Sequence, residues 1–370
     1  MAGPRDEHHY PCESCGADLR FSPGETRLVC DHCGHVQDIP RATGRGVAHL
    51  HELDLETALR AELPEPEMEE RQTLSCPNCG AQFDLEGEHH AAECPFCATP
   101  VVVDTGSRRL IKPQGVIPFV LPEAQARAAL GNWLGRLWFA PSGLTQYARK
   151  GRRMRGVYAP FWTFDASTRS AYAGHRGDYY YETRTVNVRV DGRTERRTQQ
   201  VRKVRWHRVA GRVARAFDDV LIYAARSLPT RYTDALKPWD LSALRPYRPD
   251  YLSGFEAEGY TVELREGHYL ARAEMAHVIA SDVRRDIGGD EQRVDRIDTD
   301  FSDETFKHVL LPVWTAAYKY RGRSFRFVVN GQTGRVQGER PWSAWKIAFA
   351  VIAVAIILAI GAYIGQMQQG

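Results

Sequence analysis

CESCGADLRFSPGETRLVCDHCG, residues 12–34, and CPNCGAQFDLEGEHHAAECPFCA, residues 76–98, decide how the N-terminal part of this chain folds. Each holds two CxxC pairs, Cys12/Cys15 with Cys30/Cys33 and Cys76/Cys79 with Cys94/Cys97, and 14 residues separate the pairs in both. A shift of 64 positions lays the first set on the second, and Cys15-Gly16-Ala17 returns as Cys79-Gly80-Ala81. The two stretches are therefore an internal repeat. A CxxC turn aims two sulfurs at one point about 2.3 Å from a metal, and a short hairpin brings a second turn opposite to complete a tetrahedron. Gly16, Gly34 and Gly80 follow the second cysteine of a pair, where the backbone must turn tightly.

The reading is two small four-cysteine zinc ribbons, one over residues 10–40 and one over 74–104, each with a structural Zn²⁺. A redox CxxC would open a helix in a βαβ context, which these stretches lack. Four thiolates leave no open coordination position, which speaks against catalytic zinc. His32, His35, His89 and His90 read as exposed bystanders. All eight cysteines are used, which fits a reducing compartment better than disulfides.

Working outward, Leu55, Leu59 and Leu63 recur at i+4 within Glu52–Leu63 and suggest a short amphipathic helix. The acidic run from Pro64 to Glu70 reads as solvated, so residues 41–73 form a helical and acidic linker. The main domain is expected over residues 110–340, as an α+β fold with a largely antiparallel sheet and two helices. Pro122 opens the first helix, Glu123–Phe139. The second, near Gly267–Ile287, shows the row Met275, Ile279, Val283, Ile287. YAPFWTFD (residues 158–165) and VLLPVWTAAYKY (309–320) read as strands. Val186, Val188 and Val190 alternate up to an Asp191-Gly192 turn, with a return strand through Val201, Val204 and Trp206.

Residues 347–364, IAFAVIAVAIILAIGAYI, carry no charge, and with Gly365 make 19 residues, a rise of about 28 Å. Trp342 and Trp345 precede them beside Arg340 and Lys346. This predicts one C-terminal transmembrane helix over 346–365 with the N-terminus cytoplasmic, at a bacterial cytoplasmic membrane. Gly361 and Gly365 form a GxxxG that could pair helices. Met1–Tyr10 shows no apolar signal region.

The formal charge is +3, and each four-thiolate zinc site contributes −2, bringing the whole to about −1. A strongly cationic polyanion binder is excluded overall, so local patches matter. Arg149, Lys150, Arg152, Arg153 and Arg155 form one basic cluster. Arg193, Arg196, Arg197, Arg202, Lys203, Arg205, Arg208 and Arg212 form another on the expected hairpin. These suit lipid headgroups, nucleic-acid phosphates or a solvated β face that deters edge pairing. No phosphate loop, GxGxxG, GxSxG or HExxH occurs, and no catalytic residues can be nominated.

YAPFWTFD, the block from Leu310 to Ile347 (LLPVW…YKYRG…FRFVVNGQTGRVQGERPWSAWKI) and the paired ribbons resemble a bacterial tandem zinc-ribbon, C-terminally membrane-anchored protein family. Its members are associated with PspA-like and SPFH (virion-core-like) membrane-stress proteins, and some carry labels borrowed from a primosomal helicase. The resemblance implies a non-enzymatic adaptor that places PspA-like or SPFH-type partners on the membrane. The alternative is a membrane-tethered nucleic-acid binder. Helicase activity does not transfer to a chain lacking a phosphate loop.

Overall fold

The computed structural model describes residues 10–25, 27–39, 50–84, 91–97, 99–102, 106–137, 154–190, 193–320, 323–339 and 343–367. In chain order the strands are β1 (Leu19–Ser22), β2 (Arg27–Cys30), β3 (Val36–Asp38), β4 (Leu53–Asp54), β5 (Met68–Ser75), β6 (Gln82–Asp84), β7 (Ala91–Glu93) and β8 (Pro100–Val102). They continue as β9 (Gly106–Ile111), β10 (Gly115–Val116), β11 (Arg155–Val190), β12 (Arg193–Tyr223), β13 (Arg245–Pro246), β14 (Glu256–Gly259), β15 (Glu291–Tyr320), β16 (Arg323–Asn330) and β17 (Val336–Gly338). The described α-helices are α1 (Leu55–Leu59), α2 (Glu123–Gly135), α3 (Thr230–Leu236), α4 (Leu264–Ile287) and α5 (Ala344–Met367).

Three long strands make the frame. β11 pairs antiparallel with β15 from Arg155↔Thr315 to Gly177↔Glu291, and with β12 from Phe161↔Tyr223 to Val190↔Arg193. β16 and β17 extend the sheet beyond β15, while β10 and β14 join in parallel, β10 to β15 and β14 to β11. At the frame's centre YAPFWTFD and VLLPVW are almost continuously apolar because both faces there are covered. Val157, Ala159 and Phe161 of β11, with Val309, Leu311 and Val313 of β15, bury one face against the second cysteine repeat. Tyr158 of β11, with Leu310 and Trp314 of β15, points into the core shared with the first repeat. The period-2 alternation of a strand thus seats the two ribbons on opposite faces.

α4 presents Met275, Ile279, Val283 and Ile287 to β11, β12 and their neighbours, all four buried. The i+4 row therefore faces the sheet as the sequence reading expects. α2 ends at Gly135, short of Phe139, and α1 is five residues long, capped by the Asp54 carboxylate accepting the Thr57 amide (2.8 Å). The acidic run expected to be solvated linker holds a short turn at Glu65–Glu67 and then enters β5, which pairs with β9.

Two expectations are overturned. The chain is mostly β, not α+β: strands predominate and the helices pack around or beyond them. The excess strand lies in Ala166–Thr185 and Glu291–Lys307, where no apolar alternation marks it. There the β11–β15 and β11–β12 ladders satisfy the backbone whatever the side chains are. The second correction concerns the transmembrane helix, and with it the single-pass placement in a bacterial cytoplasmic membrane. Among the described residues no helix is long and apolar enough to cross a membrane.

Candidate metal centres

Both repeats build the same knuckle. The Gly16 amide donates to the Cys12 carbonyl (2.8 Å), and the Gly80 amide donates to the Cys76 carbonyl (2.9 Å). The Cys12 amide donates to Ala17 O (2.7 Å), and the Cys76 amide to Ala81 O (2.8 Å). Gly16, Gly34 and Gly80 sit at φ +75, +74 and +73, the left-handed region the tight turn demands. A Cβ on any of them would meet nothing within 4 Å, so backbone conformation and not space selects glycine. In the second halves, the Cys30 amide donates to His35 O and the Cys94 amide to Thr99 O, each at 2.9 Å.

These turns bring together every cysteine nominated from the sequence. Cys12, Cys15, Cys30 and Cys33 form one cluster and Cys76, Cys79, Cys94 and Cys97 the other, with sulfurs inside each within 4.8 Å of one another. The shortest separations are 3.6 Å for Cys12–Cys33, 3.5 Å for Cys15–Cys30, 3.5 Å for Cys76–Cys97 and 3.6 Å for Cys79–Cys94. A disulfide needs about 2.05 Å. A tetrahedral metal with bonds of about 2.3 Å needs sulfur–sulfur edges of about 3.8 Å, close to those found. Each cluster can therefore hold one metal ion. His32 is exposed and neither His32 nor His35 joins a cluster, while His89 and His90 lie outside the described residues.

The thiols are electrostatically unequal. The Cys33 amide, and then the His32 amide, lower Cys30 to about 6. Cys33 receives the His35 amide, which lowers it, yet the adjacent Cys15 thiol and burial push it up to about 12. Burial pushes Cys97 up, but Thr99 and Asn78 bring it down to about 6. Four sulfurs this close cannot all ionise unless a cation sits among them, the complement of the geometry.

The two clusters differ in setting. In the first, Cys12 and Cys30 are buried while Cys15 and Cys33 are exposed. Its hairpin is held by the Phe21 amide donating to Ser253 O (3.0 Å) and by edge contacts of Phe21 with Tyr251 and Phe255. In the second, only Cys79 is more than marginally accessible. Its strand β6 pairs with β14, which pairs with β11, so the ribbon is hydrogen-bonded into the frame. A cavity of about 300 Å³ reaches Cys79 and Cys97 past Ser227, Arg226 and Arg326.

Sequence reasoning missed two buried polar groups. Lys307, its side chain 5% exposed, places Nζ 2.9 Å from Glu52 Oε1, 2.9 Å from Asp219 Oδ1 and 3.2 Å from Asp165 Oδ2. Burial alone would lower its pKa, but the hydrogen bonds to Asp219 and Glu52 raise it above the ordinary value. Asp165, Asp218 and Asp219 lie close enough together for a cation, and the Lys307 ammonium is bonded to two of them. A lone lysine at the edge of the HVLLPVW run is the only sequence signal for it. Lys307→Met should keep the volume yet leave buried carboxylates facing one another, costing about 3 kcal/mol in urea unfolding. A variant as stable as wild type would show the ammonium to be dispensable. The second missed group, Glu258 of β14, is 2% exposed beneath the second ribbon and accepts the Tyr223 hydroxyl (2.8 Å).

Of the first basic cluster, Arg149, Lys150, Arg152 and Arg153 lie outside the described residues. Arg155 is committed internally, donating to Glu93 O (2.7 Å) and Glu256 Oε1 (3.2 Å). The hairpin cluster is exposed where it is described.

No protein-family profile matches this chain, and no solved structure does. The uncharacterised protein YdjG of Bacillus subtilis (strain 168) is 27% identical over 364 residues, covering 95% of this chain and 96% of that protein. The resemblance spans nearly the full length of both chains.

Proposed function

We propose that both cysteine clusters bind Zn²⁺ and that the protein is a non-enzymatic scaffold whose zinc ribbons recruit partner proteins. The supporting observation is that two complete four-sulfur sets are built onto opposite faces of one sheet. Four protein ligands saturate zinc and leave no position for substrate or water, so the metal fixes shape and does no chemistry. The first ribbon, with Cys15 and Cys33 exposed, is the face turned outward for a partner. The sequence resemblance points to PspA-like or SPFH-type proteins as the class recruited.

The test is metal analysis of the purified chain, followed by crosslinking and recovery with a Cys12→Ser/Cys15→Ser variant alongside. Two zinc ions per chain, and co-recovery of such partners that the variant loses, are the expected results. Substoichiometric zinc, or recovery indifferent to the variant, would overturn the reading.

A further inference from the structure

The last rung that β11 shares with β15 is Gly177↔Glu291. Beyond it β11 and β12 pair only with each other, from Asp178↔Arg205 to Val190↔Arg193. At about 3.3 Å per residue this two-stranded ribbon projects on the order of 40 Å from the frame. Between Asp178 and Arg208 the chain has nine Lys/Arg against four Asp/Glu, so the projection is cationic although the chain as a whole is nearly neutral.

Basic residues occur on both faces of the ribbon, but its carboxylates are sorted to one. Residues directly opposite in an antiparallel register share a face. One face carries Asp178 and Glu182, where Arg176 pairs with the first and Lys203 with the second. Nearer the frame that face is covered by α4, through Val209, Val213 and Phe217. The other face carries Arg196, Arg202 and Arg208 of β12, all exposed, and no carboxylate from the hairpin among the described residues. Three aromatics share it: Tyr179, Tyr181 and Trp206, with Tyr181 62% and Trp206 43% exposed.

Their arrangement is specific. The Arg202 guanidinium lies 4.3 Å above the Tyr179 ring. Trp206 stands opposite Gly177, and a Cβ there would come within 3.0 Å of the indole's six-membered ring. The edge of the indole's six-membered ring therefore sits over the glycine, and the side chain is 43% exposed. Exposed aromatic rings among guanidiniums on one face are what unpaired bases and their phosphates require: stacking surfaces and counter-charges together. A peptide ligand would need no such combination.

We infer that the open face of this projecting β-ribbon binds single-stranded nucleic acid, with Trp206 and Tyr181 stacking on bases and Arg196, Arg202 and Arg208 meeting phosphates. This is independent of what the zinc ribbons recruit. The probe is a fluorescein-labelled single strand of about twenty nucleotides, titrated with the full metal-loaded chain and followed by anisotropy. Affinity should fall with salt with a log–log slope near −2, since about 0.7 counterion is released per phosphate neutralised on a single strand. Arg196→Ala/Arg202→Ala/Arg208→Ala should flatten that slope. Tyr181→Ala/Trp206→Ala should weaken binding by roughly 5- to 100-fold while keeping the slope. All these side chains are exposed, so unchanged melting temperatures serve as the folding control. A duplex of the same sequence should bind less tightly, its bases being hidden. Absence of salt-sensitive binding, or binding that neither variant weakens, would overturn the inference. So would an oligonucleotide-silent protein that binds anionic phosphatidylglycerol vesicles through the same arginines.

Discussion

Cys76→Ser/Cys79→Ser is expected to give the largest loss of stability of any paired substitution in the chain, and to damage the frame as well as the second ribbon. Under the zinc reading, metal binding supplies about 10–16 kcal/mol to a ribbon's folding at neutral pH, and two serines remove most of it. The loss spreads because this ribbon is part of the main core. Phe83, Phe96 and Val101 pack with Val157, Phe161, Leu311 and Val313. The Thr315 hydroxyl donates to Pro95 O (3.1 Å), and Arg155 holds Glu93 O (2.7 Å). Losing those contacts uncovers one face of the strands that organise the fold. Thermal melting by circular dichroism, with limited proteolysis, should show a lowered midpoint and new cleavage sites in β11 and β15. A strong chelator should mimic this in the wild type. An unchanged midpoint under both treatments would mean that the cysteines hold no metal needed for folding.

Much of this site was legible because a metal centre is a local code. Two CxxC turns and their spacing are short-range, and the Ala17 and Ala81 hydrogen bonds that shape the knuckles span five residues. The α4 row was equally readable, since four apolar residues on one helical face carry their meaning without a partner. So was the hairpin register, because Val190 and Arg193 flank the Asp191-Gly192 pair.

What escaped depends on partners remote in sequence. Lys307 and Glu52 are 255 positions apart. The joining of β6 to β14 rests on two rungs, Glu258↔Phe83 and Gly259↔Gln82, which no periodicity announces. The N-terminal half of β15 carries no apolar alternation, yet pairing with β11 makes it a strand. The C-terminal apolar run misled in the other direction: among the described residues no helix is long and apolar enough to cross a membrane. The hairpin's basic residues were visible as a list. That the hairpin's carboxylates lie on one face while Arg196, Arg202 and Arg208 share the other with Trp206 and Tyr181 emerged only from the register.

Glu258→Gln should stabilise the protein near neutral pH and remove this carboxyl's own contribution to the pH dependence between about pH 5 and 8. Glu258 lies under the second ribbon, opposite Phe83 in the β6–β14 pair, and burial pushes its carboxyl from the ordinary 4.5 up to about 8, opposed only weakly by Ser227 and Tyr223. Below about pH 4.5 both folded and unfolded chains hold this proton, and the carboxyl costs nothing extra. Between the two values the unfolded chain has released it while the folded chain keeps it, so rising pH favours unfolding by up to about 1.4 kcal/mol per pH unit. Above about 8 both are ionised and the slope vanishes, leaving a charge buried beneath a ribbon of clustered thiols. Glutamine retains an acceptor for the Tyr223 hydroxyl and cannot ionise. In urea melts at a series of pH values, the zinc thiolates contribute the same pH dependence to both proteins, so Glu258 is read from the difference. The wild type should fall progressively behind the variant from pH 5 to 8. Parallel curves would mean that Glu258 titrates at its ordinary value, which requires water to reach beneath the second ribbon.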